Sequence, residues 1–198
     1  MRAARTCLMI AFGCALAASP GAAQVKPDSE TFLEAIEEQR GNDVIDLVTK
    51  KGRAIINVRG YSGATPLTVA MRKRSMQYVN YLLQNGADPN LADKTGDTAL
   101  MIAARTGNLE GVNTMVTAKA GLDAPNRQGE TPLIAAVQNR HVQVIKRLLE
   151  AGASPTRTDN AGLGARDYAT RDRRSAEILR LFDTVKKKPV FVAGPIIR

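Results

Sequence analysis

One pattern returns at a spacing of 33 residues through the middle of this chain, and few folds can accommodate it. It reads Gly63-Ala64-Thr65-Pro66-Leu67, then Gly96-Asp97-Thr98-Ala99-Leu100, then Gly129-Glu130-Thr131-Pro132-Leu133. A second phase keeps step with the first. Val79, Val112, Ile145 and Ile178 share one position, Leu82, Met115, Leu148 and Leu181 the next, and Leu83, Val116, Leu149 and Phe182 a third. A small residue recurs at Ala70, Ala103, Ala136 and Ala169. Self-similarity at this period marks a stacked array, in which each unit buries its apolar face only against its neighbours.

The local chemistry says where the helices begin. Gly63, Gly96 and Gly129 stand where the chain turns, and glycine tolerates positive φ there. Thr65, Thr98 and Thr131 follow as N-caps, able to accept from the first free helical amides. Pro66 and Pro132 occupy the first helical position, where a missing N–H costs nothing. Leu67, Leu100 and Leu133 then point inward, and the recurring alanines let this short helix approach its neighbours. Second helices are expected over 76–85, 109–118 and 142–151, with Gly86 and Gly152 as left-handed C-caps.

These residues and their spacing resemble the ankyrin repeat family. The resemblance implies an all-α solenoid of about five helix-turn-helix units with short β-hairpin-like loops. Its parts would be an N-terminal cap at 30–59, full units at 60–92, 93–125 and 126–158, and a C-terminal cap at 159–187.

Departures from the pattern carry their own expectations. In the N-terminal cap Gly41 ends the first helix, a second stops near Gly52, the Thr-Pro-Leu signature is missing and a residue or two is lost between the helices. Lys119 takes the C-cap glycine's position and Gly121 comes two residues late, so an irregular helix end and a less well-formed hairpin are expected there. Arg74 and Arg140 stand where the family prefers glycine, and a left-handed backbone at such residues costs about 1–2 kcal/mol. The last unit loses Thr-Pro and puts Arg166 where leucine belongs.

Outside the units, residues 1–23 read as a secretory signal peptide. Arg2 and Arg5 precede an apolar run from Cys7 to Ala18, and Gly21-Ala22-Ala23 supplies the small residues before a cut after Ala23. A lipoprotein signal ending at Cys14 is the rival, although Ala11-Phe12-Gly13 lacks the usual leucine. Export to the periplasm, or secretion, is the expectation, with 24–29 as a leader. Cleavage would remove both cysteines, and with them any disulfide or thiolate chemistry. Residues 188–198 form an apolar, proline-broken tail that folds back on the last helices or docks on a partner.

Charge narrows the partner. Without Arg2 and Arg5 the chain keeps 26 basic against 19 acidic residues, a net charge of +7. Residues 24–60 carry −1 of it and residues 61–198 carry +8, a balance that suits an acidic partner as well as plain solvation.

The inventory for catalysis is poor. His141 is the single histidine, at the start of a second helix where local hydrogen bonding is its expected role, and no metal-ligand spacing, phosphate loop or nucleophile elbow occurs. A non-enzyme without cofactor or metal is therefore expected, with catalysis the weaker alternative. The family resemblance implies a protein partner on the concave face of hairpin tips and first helices. The matching residues are Tyr61, Arg72, Lys73, Lys94, Arg105, Arg127, Gln138 and Arg171. Arg72, Arg105 and Arg171 share one position and should form a row, with Asp97 and Glu130 close enough to neutralise part of it. The alternative is electrostatic binding of an anionic polymer or membrane surface. No nucleic-acid partner, no transmembrane segment after cleavage and a monomeric state are expected.

Overall fold

A computed structural model describes residues 26–171 and 175–185. Its helices come in pairs: α1 (Asp28–Glu37) with α2 (Gly41–Lys51), α3 (Pro66–Arg72) with α4 (Met76–Gln84), and α5 (Ala99–Arg105) with α6 (Leu109–Thr117). They continue as α7 (Pro132–Gln138) with α8 (Val142–Ala151) and α9 (Ala165–Arg171) with α10 (Ala176–Val185). The odd-numbered helices pack side by side as one layer, and α4, α6, α8 and α10 form a second. The tail and the signal lie outside the described residues.

Helices of seven residues, such as α3, α5 and α7, are too short to persist alone in water. Packing holds them. Leu67, Leu100 and Leu133 are buried, and the alanines at 70, 103, 136 and 169 are fully so. Val79, Val112, Ile145 and Ile178 line the facing side of the outer layer. One apolar strip thus runs through every unit.

The starts follow the expected chemistry. Thr65, Thr98 and Thr131 accept from the amides of Thr68, Met101 and Ile134, and in α3 the Thr68 side chain returns the favour to make a capping box. Gly63, Gly96, Gly129 and Gly162 all have φ between 75° and 84°.

Two expectations fail instructively. Lys119 does not disturb its helix end. It takes φ 57°, and the Lys119 and Ala120 amides close on the carbonyls of Val116 and Met115, as Gly152 and Ala153 close on Leu149 and Leu148. The hairpin that follows is as regular as the others. The Asn126 amide donates to Glu130 at 3.0 Å, and the equivalent Asp93 to Asp97 at 2.9 Å. A left-handed backbone costs a lysine only about 1–2 kcal/mol, which the surrounding closure outweighs.

In the first pair Gly41 does not end a helix but begins α2, because Gln39 takes the left-handed turn (φ 58°). Nothing is lost between α1 and α2. The Arg40 amide reaches Ala35 just as Ser75, Asn108 and His141 reach Ala70, Ala103 and Ala136. The irregularity lies after α2, in a 3-10 turn (Gly52–Ile55) that buries Ile55 and Ile56. Arg74 and Arg140 do adopt positive φ, at 55° and 58°.

Candidate interaction face

Hairpin tips and the C-terminal ends of the inner helices share one side of the stack. At each turn an acidic or amide side chain organises the backbone. The Asp93 carboxylate accepts from the amides of Thr95 at 2.8 Å and Asp97 at 3.0 Å. Asn126 does the same for Gln128 and Glu130, and Asp159 for Ala161 and Leu163. Gly60 holds this position in the first hairpin, where the Glu30 carboxylate of α1 takes the Tyr61 amide instead. Sequence reasoning missed this device, though its signal was present: Asp93, Asn126 and Asp159 repeat in phase with the glycines.

The hairpins also bind one another. The Arg127 amide donates to the Thr95 carbonyl at 3.1 Å, and the Asn160 amide to Gln128 at 3.0 Å. A Cβ on Gly96 would stand 2.8 Å from the Arg127 nitrogen, and one on Gly129 2.7 Å from that of Asn160. Glycine is required there twice over, for its φ and for the close approach. Further along each unit a second missed series ties neighbours together. Asn57, Asn90 and Asp123 accept from the amides of Asp88, Gly121 and Ser154, each in the following unit.

Of the residues singled out for binding, Tyr61, Lys94 and Arg127 lie at successive hairpin tips, and all three are exposed. Arg72, Arg105, Gln138 and Arg171 end α3, α5, α7 and α9, with Lys73 just beyond α3. A cation at a helix C-terminus meets the partial negative charge of unpaired carbonyls.

The arginines differ in what they have left to offer. Arg72 pairs with Asp93 of the next hairpin, whose side chain is only 3% exposed. Arg105 grips Asp97 and also Glu130 of the following unit at 3.1 Å, while Asn126 bridges the same two carboxylates. Arg72 and Arg105 thus converge on one hairpin, whose ends are Asp93 and Asp97. The neutralisation expected from Asp97 and Glu130 falls on Arg105; that of Arg72 by Asp93 was not expected, and both cations are held by the fold. Lys73 pairs with Glu37 at 3.2 Å, Arg171 lies in electrostatic reach of Asp159, and Gln138 lies near the Tyr168 hydroxyl. Among the described residues, the side chains of Lys94 and Arg127 make no hydrogen bond or ion pair.

Burial pushes the Asp93 carboxyl up, but the Thr95 hydroxyl and amide, the Asp97 amide and Arg72 together hold it below its ordinary value. Asp159 is also held low, chiefly by the Tyr168 hydroxyl and then by the Leu163 amide. The Asp97 hydrogen bond raises Arg105 further against the opposing effect of burial. His141 has the local role expected of it. Its Nε2 lies 3.0 Å from the Arg105 carbonyl, and its ring covers Gly107, where any Cβ would collide with it.

A family model described as "Ankyrin repeats (3 copies)" matches residues 79–159, and one described as "Ankyrin repeat" matches residues 62–94. Residues 62–159 are ankyrin repeats. No curated protein matches the chain. Ankyrin repeats are a protein–protein interaction module, and the family is in general non-catalytic. The pair α1–α2 precedes the matched repeats, and α9–α10 follows them in the same stack. No group of three or more metal-ligating side chains occurs among the described residues, and no helix there is long and apolar enough to cross a membrane.

Proposed function

We propose that this ankyrin repeat protein is exported, acts as a monomer, and binds the acidic surface of a partner protein on the concave face of its hairpins and inner helices. The observation that carries the reading is the pair of exposed, unpaired cations, Lys94 and Arg127, in line with Tyr61 on stacked hairpin tips. Arginine and tyrosine are residue types that dominate interface energetics. A lone exposed ion pair is worth only about 0–1 kcal/mol, so the binding energy must come from several contacts acting together. Lys73, Gln138 and Arg171 extend the same face, and Arg72 and Arg105 keep it in shape. Export rests on the basic start, the short apolar run and the small residues before Gln24.

Photo-crosslinkers at Tyr61 and Gln138, with Asn80 on the outer layer as control, test this in cells. A discrete protein captured from the two inner positions alone is the expected result. Equal capture from Asn80 would sink the reading. The +8 carried by residues 61–198 favours a second one, adsorption to an anionic polymer or membrane surface. Its affinity would fall log-linearly with salt, whereas a packed protein contact depends on salt far less.

A further inference from the structure

We propose that the partner presents an extended acidic segment, with two carboxylates three residues apart and an apolar side chain three residues further along. The inference rests on the protein-binding reading above and specifies what is bound. Its basis is a row of three features, one unit apart. The first is a groove of about 450 Å³ between α1 and the first hairpin, lined by the largely buried Leu33, Ala64 and Val69 and by Glu30, Glu34 and Glu37, the last two paired with Lys26 and Lys73, with Tyr61, 80% exposed, at its side. The second and third are the Lys94 and Arg127 side chains, at equivalent positions of the next two hairpins.

The spacing selects the ligand. Helices packed side by side stand about 8–10 Å apart, and the backbone bond from Arg127 to Thr95 keeps the second and third hairpins in step with them. A polyproline-II segment has three residues per turn and rises about 3.1 Å per residue. Every third side chain therefore returns to the same face after about 9 Å. An extended chain laid along the tips can seat an apolar side chain in the groove and set one carboxylate on each cation. Arg72 and Arg105 cannot serve as these contacts, because Asp93, Asp97 and Glu130 already hold them. A helix would bring its own third and fourth residues only about 5–6 Å apart, too close for successive tips.

The test titrates the purified protein into labelled peptides of one composition, followed by fluorescence anisotropy. Each carries a leucine and two glutamates spaced by two, three or four residues, in both chain directions. The three-residue spacing, in one direction, should bind at least ten-fold tighter than the others. The double substitution Lys94→Glu and Arg127→Glu should abolish that preference. Lys94→Gln with Arg127→Gln, checked for an unchanged melting curve, guards against a folding effect. Equal binding at all spacings would overturn the inference, and so would equal competition by a single-stranded oligonucleotide of matched charge. If no peptide binds while Tyr61 and Gln138 still crosslink a discrete protein, the linear segment is wrong and the interaction reading survives. Loss of both removes both.

Discussion

At the scale of single residues, the cost of a strained backbone can be weighed against what the side chain returns. Lys119 holds φ 57° with its side chain exposed and, among the described residues, without a hydrogen bond or ion pair. Glycine would relieve about 1–2 kcal/mol of left-handed strain and lose about 0.5–1 kcal/mol to a freer unfolded chain. Lys119→Gly should therefore raise stability by up to about 1.5 kcal/mol in a urea titration. Arg74, at φ 55°, should gain less from the same change, because its guanidinium donates to the Thr106 carbonyl of the next unit. Asp93 makes a sharper case. Its carboxyl is held below the ordinary value, so the stability it confers is complete above about pH 3.9 and drains away as pH falls through the folded value. Asp93→Asn should flatten that acid limb while keeping the turn, since Asn126 performs the same task one unit later. Asp93→Ala leaves two amides and Arg72 without their acceptor and should cost about 1–3 kcal/mol. Urea midpoints between pH 7 and pH 3 separate the two variants.

At the scale of elements, the helices were legible in the sequence because each start is written locally. Thr65, Thr98 and Thr131 cap helices by contacts spanning three residues, and the apolar positions repeat in phase with them. The cap at α1–α2 was harder to read. Its left-handed residue is Gln39, and a glycine two positions on, Gly41, looked like the natural stop. Glycine signals a turn only where φ demands one, and Gly41 lies inside a helix. On the interaction face the slots themselves were readable by register. The pairing of Arg105 with Asp97 and Glu130 was readable from the same register, but that of Arg72 with Asp93 was not, because its partner comes from the next unit and depends on how neighbours stack. The hairpin supplies the matching prediction. Gly96→Ala forces a Cβ to within 2.8 Å of the Arg127 nitrogen at a φ of 84°. It should destabilise by more than the ~1–2 kcal/mol of left-handed strain alone, readable as a lowered urea midpoint.

At the scale of the whole molecule, stability is nearly a sum of units and the interfaces between neighbours. A unit inside the array has two such interfaces and a terminal one has a single interface. Amide exchange should accordingly be slowest in α5 and α7 and fastest in α1–α2 and α9–α10. Leu100→Ala, at a fully buried position within the array, should cost about 2–5 kcal/mol and accelerate exchange in α3 and α7 as well as in α5. Uniform exchange from end to end would mean that the array melts as a single block. The hairpin-to-hairpin amide bonds have one more consequence. From the second hairpin to the fourth they make the distance between tips a property of the backbone, independent of which side chains sit there. Such an edge works as a ruler with interchangeable marks: duplicating one 33-residue block would lengthen it by one fixed division, and recoding a tip would change what that division reads without altering the scale.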